Sequence, residues 1–256
     1  MIIDAHIHTG KLYSQYVFDP SLEKLLETMD FLGIAKAISS NFLWLNLTEM
    51  RRGMEQAEKE YESSGGRIHS FLYFDPRIGA KCIDVYQKYF NPQIFKGIKL
   101  HPSWSRTSAD DEGYRMIWEF AQKMKLPILS HSWDISPTNP IQFYSHPARF
   151  ERYLSEFGGV KFVFAHSGGR YHAIQWVAGL ARKYGNIYCD IAGDIHANGF
   201  LEYLVGEIGS SRIIFGSDYN MMDQRTMLGV VAGAAISARA KEDILYRTAC
   251  QVYFEE

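Results

Sequence analysis

Residues 2–10 read Ile-Ile-Asp-Ala-His-Ile-His-Thr-Gly. The run opens on β-branched residues and has the character of a buried strand. An open doubly wound sheet usually follows its first strand with G-x-G-x-x-G, a turn whose backbone cradles a phosphate. Here the first strand runs into histidines instead. Outward from it, seven more short apolar runs follow: 35–40 (AKAISS), 68–74 (IHSFLYF), 95–100 (FKGIKL), 127–131 (PILSH), 161–166 (KFVFAH), 187–191 (IYCDI) and 212–217 (RIIFGS). Between them, apolar residues recur at helical spacing. Leu22, Leu25, Leu26 and Met29 precede the second run, and Ile117, Phe120, Ala121 and Met124 precede the fifth. Further helices are expected near 80–90, 148–157, 173–184, 198–208 and 224–236. Eight β-then-α units with continuous apolar strands predict an α/β fold, a single (β/α)8 TIM barrel over 1–256. A final segment, 241–254, predicts an extra C-terminal helix.

Composition narrows the function classes. The chain has 256 residues, 46% of them apolar, and a formal net charge of −2. Its basic residues are scattered, so there is no electrostatic footprint for nucleic acid. A small-molecule substrate is expected. Cys82, Cys189 and Cys250 fit neither a zinc ribbon nor a disulfide framework, and read as reduced thiols. MIIDAHIHTG has no signal-peptide pattern, and no apolar run approaches the ~20 residues a membrane helix needs. A cytoplasmic location with no membrane contact is the expectation.

The chemistry-bearing residues close the apolar runs. Strand residues alternate faces, so His6 and His8 point the same way, and two imidazoles at i and i+2 can clamp a divalent metal. Asp4 is expected on their face, lower in the barrel, packing or hydrogen-bonding beneath the site. By itself H-x-H is a weak signal, since most histidines satisfy local hydrogen bonds. His131, His166 and Asp218 strengthen it, because they end the fifth, sixth and eighth strands. Barrel enzymes build their sites at the C-terminal ends of strands. Burying such groups unpaired is costly, and a cation at the barrel mouth would account for all of them together.

D-A-H-I-H at 4–8, G-I-K-L-H-P at 97–102, L-S-H-S at 129–132, A-H-S-G-G at 165–169 and F-G-S-D at 215–218 together resemble the amidohydrolase superfamily. The likeness is to the amidohydrolase-related group that includes aminocarboxymuconate-semialdehyde decarboxylase. It extends to K-E-D-I-L-Y-R-T-A at 241–249. Thr248-Ala249 departs from the Asn-Ala usual there, and Tyr219-Asn220 stands where a proline is common. The resemblance implies one divalent ion held by His6, His8, His131 and Asp218. Zinc suits this nitrogen and oxygen set best, with manganese, iron and cobalt as alternatives. It implies that Asp218 also serves as general base, and that His166 is a catalytic acid or base. Bound water would then ionise near pH ~7. In some branches a carbamylated strand-four lysine bridges two metals. Lys99, with His166, is placed to do so, but the mononuclear pattern matches the nearer relatives. A homodimer is a further expectation.

Lys99 and His101 share a face of strand four and are expected to line the pocket and meet a substrate carboxylate; the plainer reading of His101 is a strand-end hydrogen bond before Pro102. Trp133, with Phe42, Trp44, Trp104 and Phe143, would make the apolar wall of a small-molecule pocket. The segments 41–47 and 132–147 are the expected site loops. Arg106 and Arg170 follow site-bearing strands, with a solvated loop role the plainer reading; Arg51 and Arg52 read as a solvated face. His69, His146, His172 and His196 read as structural. The leading expectation is metal-assisted hydrolysis of a small amide, ester or lactone. Non-oxidative decarboxylation of a small carboxylic acid is the alternative. A barrel that only binds a metabolite ranks below both, since the ligand set is complete. A TatD-type nuclease is disfavoured by I-K-L-H on strand four, where a Glu is expected.

Overall fold

The computed structural model describes residues 1–12, 17–45, 50–195 and 197–254. His196 and positions 46–47 of the expected 41–47 wall lie outside the described residues.

Eight parallel strands pair in chain order: β1 (Ile2–Ile7), β2 (Ile34–Ser39), β3 (Ile68–Phe74), β4 (Phe95–Leu100), β5 (Ile128–Ser130), β6 (Phe162–Phe164), β7 (Ile187–Asp190) and β8 (Ile213–Ile214). The first and last close on each other through Ala5 N–H to Phe215 O at 3.0 Å and Asp218 N–H to His6 O at 2.9 Å. The result is the predicted TIM barrel. Helices follow the strands: α1 (Leu22–Leu32), α2 (Met50–Ser63), α3 (Gly79–Tyr89), the short α4 (Pro102–Ser105), α5 (Arg115–Met124), α6 (Glu151–Glu156), α7 (Tyr171–Lys183), α8 (Phe200–Ile208), α9 (Gln224–Gly233) and α10 (Ala238–Glu242). No described helix is long and apolar enough to cross a membrane.

Local chemistry explains how these elements start and stop. The Ser21 hydroxyl caps α1 by accepting from Lys24 N–H, and Gly33 ends it at φ +71°, returning its N–H to Asp30 and Met29 carbonyls. Both devices satisfy groups that a helix end leaves open. The helix turns Leu25 and Met29 inward, the spacing visible in the sequence.

Inside the barrel, Ile3, Ala5, Ile38, Phe71, Leu129, Val163 and Ile214 form one apolar cluster. Ala249, Val252 and Tyr253 of the C-terminal segment join it and plug the end opposite the site. The expected single helix over 241–254 is present but begins earlier. It runs from α10 into π-helical turns at Asp243–Arg247 and Cys250–Phe254. The eighth run is also shorter as a strand than expected. Beyond Ile214 the pairing is irregular: Phe215 N–H turns to Ile244 O and Ser217 N–H to Asp4 Oδ1, while Phe215 O and Asp218 N–H still bond to β1.

Asp4 requires a correction. It does not share a face with His6 and His8. The β1–β2 register breaks between Asp4 and Ile7. Ile3 and Ala5 point into the barrel, and Ile7 points out against Leu25 and Met29. Asp4 points away from the interior, accepting from Ser217 Oγ at 2.6 Å and Gln224 Nε2 at 2.7 Å. The irregularity lets His6 face the mouth next to Ala5.

Candidate active site

The C-terminal ends of the strands open into a cavity of about 390 Å³. His6, His8, Lys99, His101, His131, His166 and Asp218 all line it, so the expected metal ligands, the expected acid or base and the expected substrate-facing pair on strand four reach one chamber.

At its floor, ligand-type atoms converge. His6, His8 and Asp218 each offer an atom, and these atoms lie within 4.8 Å of one another. Each imidazole is fixed from behind. His6 Nδ1–H donates to Asp190 Oδ2 at 2.8 Å, and His8 Nδ1–H donates to Ser40 O at 2.9 Å. Both Nε2 lone pairs therefore face inward. Asp218 Oδ1 stands 3.2 Å from His8 Nε2 and 3.6 Å from His6 Nε2, buried and with no hydrogen-bond partner. Three electron-rich atoms turned on one another need a cation between them. The residues present thus fit a divalent metal. Among the described donors one already occupies part of this place: Lys99 Nζ donates to His6 Nε2 at 2.7 Å.

His131 is not brought into that group. Its ring stacks on His101 at 4.1 Å, and its Nε2 lies 3.1 Å from Gln142 Oε1, which also accepts from Ser103 Oγ. Its ring centre is 5.0 Å from that of His166, so it borders the floor without facing the same point.

His166 sits on a backbone that few residues adopt. His166, Ser167, Gly168 and Gly169 all have positive φ, from +47° to +87°. The turn swings the imidazole from the end of β6 over the floor. Glycine is required at 169 for a second reason, since a Cβ there would overlap the Trp133 indole. His166 Nδ1–H donates to Ala192 O at 3.0 Å, which leaves Nε2 for the cavity.

Asp190, at the end of β7, is the functional residue the sequence reading missed. Besides holding His6, it accepts from His166 N–H at 2.7 Å and Ala192 N–H at 3.1 Å. The signal was available: a carboxylate closing an apolar strand, as at the other ends.

Burial governs the electrostatics. It holds the His101 and His131 imidazoles well below their usual range, and His166 at about 4, so all three are neutral at pH ~7. Burial lowers Lys99 to about 8, against the pull of Asp190 and Asp218. Burial would raise Asp218. The hydrogen bond that His8 can donate, and the charge that His166 and His6 acquire on protonation, outweigh it and hold the carboxyl well below its usual range.

Of the expected aromatic wall, Phe42, Trp44, Trp104 and Trp133 line the cavity. Phe143 does not; it stands exposed under the Arg149 guanidinium, 3.6 Å from ring centre to charge. Neither Arg106 nor Arg170 lines the chamber, and Arg170 pairs with Asp194. His101 plays the local role as well: its Nδ1 accepts from Trp104 N–H at the start of α4. His69 and His146 are likewise tied locally, His69 Nδ1 to Gln93 O and His146 Nδ1 to Ala148 N–H.

Comparison with known proteins gives the fold and the family. No curated protein sequence matches the chain. Solved structures do. 2,6-Dihydroxybenzoate decarboxylase from Rhizobium has a TM-score of 0.75 at 15% identity, covering 98% of each chain. A dihydroxybenzoic acid decarboxylase from Polaromonas, with manganese and the inhibitor 2-nitroresorcinol bound, has a TM-score of 0.72 at 16% identity, covering 98% of this chain and 96% of its own. An amidohydrolase from Burkholderia multivorans with bound zinc has a TM-score of 0.72 at 13% identity, covering 99% of each. At such identities the likeness establishes the shared barrel. The family itself is established by a sequence model described as amidohydrolase, which matches residues 3–254, and so the chain is a member of the amidohydrolase family of enzymes.

Proposed function

We propose that this chain is a metal-dependent hydrolase of a small carbonyl compound, an amide, ester or lactone. The observation that carries it is the unpartnered Asp218 Oδ1 facing the inward lone pairs of His6 and His8. These three residues would hold one divalent ion, with His131 the nearest further imidazole. Nitrogen and oxygen donors suit zinc, with manganese next. When bound, the ion supplies Lewis acidity, polarising a carbonyl and making water nucleophilic near neutral pH.

The chain's own residues do the rest. Asp190 and Ser40 O fix the tautomers of His6 and His8. The ionised Asp218 accepts the proton of an attacking water. His166 Nε2 exchanges a proton with the leaving atom, and Trp133, 5.3 Å away ring to ring, covers it from solvent. Lys99 and His101 face the substrate.

Decarboxylation of a planar acid is the second reading, favoured by the parallel plates in the wall. Phe42 lies 6° from the plane of His8, and Trp133 lies 1° from that of His131. These stacked pairs turn apolar ring faces to the cavity lining, against which a flat ring packs well.

The test starts with elemental analysis of the purified protein and of the His6→Ala/His8→Ala double variant. About one equivalent of metal, lost in the variant, is expected. The loaded protein is then given lactones, amides and aromatic acids while acid release and carbon dioxide are followed. Absence of metal, with no gain in melting temperature on adding zinc or manganese, would sink both readings. Carbon dioxide without hydrolysis would select the second.

A further inference from the structure

The histidine that follows β5 reaches the cavity already engaged. His131 lines the chamber with His6, His8 and Asp218, yet it offers no atom to the group that those three form. Its Nε2 lies 3.1 Å from Gln142 Oε1, and its ring is held against His101, 4.1 Å centre to centre and 10° from parallel. Gln142 also lines the cavity and is buried, on the turn Pro140–Ser145 of the loop after β5.

Neighbouring hydroxyls fix the direction of that bond. Ser145 Oγ accepts from Ser103 N–H at 2.9 Å and also bonds to Ser103 Oγ. Ser103 Oγ donates to Gln142 Oε1 at 2.8 Å. Ser145 then donates its own proton to Ser103, and both hydroxyls are satisfied. Turning the Gln142 amide round would make Ser103 donate to Ser145 instead. The Ser145 proton, fully buried, would then have no acceptor among the described residues, which is costly. With its oxygen toward Ser103, Gln142 can only accept from His131. His131 Nε2 therefore carries a hydrogen, and an N–H nitrogen has no lone pair to give a metal.

We propose that Gln142 is a positioning residue that holds His131 as its Nε2–H tautomer, so that His6, His8 and Asp218 hold a metal without His131. Ser103, on α4, supports it from the loop after β4, and the two loops together keep the imidazole from turning to the floor. Three protein ligands leave a catalytic metal's remaining position to water or substrate. The consequence for the metal rests on the reading of the floor given above; the tautomer does not.

The first readout needs no metal. Long-range proton–nitrogen NMR of the metal-free protein, labelled at histidine, reports which ring nitrogen bears the hydrogen, and His131→Ala identifies the signal. The Nε2–H tautomer is expected for His131 in wild type and in Gln142→Glu, whose carboxylate still accepts. Gln142→Leu should lose that single tautomer. The second readout is zinc affinity, by competition with a chromophoric chelator. His131→Ala is expected to stay within about threefold of wild type, whereas Gln142→Leu should bind about tenfold more tightly as the freed imidazole joins the ion, on the scale that partners of metal ligands exert. The Gln142→Leu/His131→Ala double variant should return to the wild-type level. An Nδ1–H signal for His131 in wild type overturns the proposal. So does a loss of about a hundredfold in His131→Ala, the mark of a direct ligand, or a Gln142→Leu affinity equal to that of wild type. Zinc bound by none of the proteins would sink the metal reading, and the tautomer alone would then decide the role of Gln142.

Discussion

Lys99 Nζ lies 2.7 Å from His6 Nε2 and donates to the lone pair that a metal on His6 would use. The two partners are mutually exclusive on that nitrogen. Metal binding must therefore break a buried, charge-assisted hydrogen bond and bring a dication beside an ammonium group. Lys99→Met removes the competitor and keeps the apolar stem. Zinc affinity, read by competition with a chromophoric chelator, is expected to rise about tenfold, the equivalent of one such hydrogen bond. Weaker binding in the variant would show that Lys99 supports the metal site instead of opposing it.

Asp190 is the strut behind two histidines, bonding the His6 ring and the His166 backbone with its two oxygens. Partners of this kind set ligand tautomer and basicity. Asp190→Asn keeps the shape and weakens the acceptor. We expect metal affinity to fall by roughly 10- to 100-fold with a circular dichroism spectrum like that of wild type. Unchanged affinity would mean that the β1 backbone alone aims His6.

Strand ends were legible because ionisable side chains closing apolar runs have few explanations, and His6, His8, His166 and Asp218 all reached the floor as read. Asp190 obeyed the same rule but sat inside I-Y-C-D-I, where it looks like a strand cap. Asp4 was misplaced because strict alternation holds only in a regular strand, and the register break within β1 is a tertiary event with no local signature. The π-helical turns of the C-terminal segment are equally hidden. They arise where Ala249, Val252 and Tyr253 must fit the barrel's lower end. Trp44 was legible as an apolar wall residue, but only three-dimensional neighbours show that its indole N–H and the Tyr73 hydroxyl lack partners.

The A-H-S-G-G turn offers a test of local geometry. Gly169 combines φ +79° with close approach of the Trp133 ring. Alanine there must adopt a left-handed conformation, costing about 1 kcal/mol, and must displace the indole, costing about 1–3 kcal/mol more. Gly169→Ala is expected to lower the melting temperature by at least ~5 °C and to change tryptophan fluorescence as the indole leaves His166. Gly185→Ala, in open space and outside the left-handed region, is the control and should melt within ~1 °C of wild type. Equal melting of the two variants would contradict this account of the turn.

His69 makes stability depend on pH at the opposite end of the barrel from the site. Burial lowers its pKa from 6.5 to about 4, with Lys96 and Lys36 adding to the effect and the bond to Gln93 O opposing it. The neighbouring Tyr61 and Phe254 rings add no charge of their own at acidic pH. The folded protein keeps the imidazole neutral while the unfolded chain protonates it near pH ~6.5. The unfolded state thus binds the extra proton between these two values, so stability rises with pH across the window and is lost as pH falls through it. The contribution is whole above the unfolded pKa. Moving from pH 7 to pH 5 should cost about 2 kcal/mol through this residue, or ~5 °C in melting temperature for a chain of this size. His69→Asn keeps a donor for Gln93 O and cannot titrate. The site histidines still titrate in both proteins, so the difference between wild type and variant isolates His69. The drop in melting temperature from pH 7 to pH 5 is expected to be smaller in the variant by that amount. Parallel curves for the two proteins would mean that His69 does not hold back its proton in the folded state.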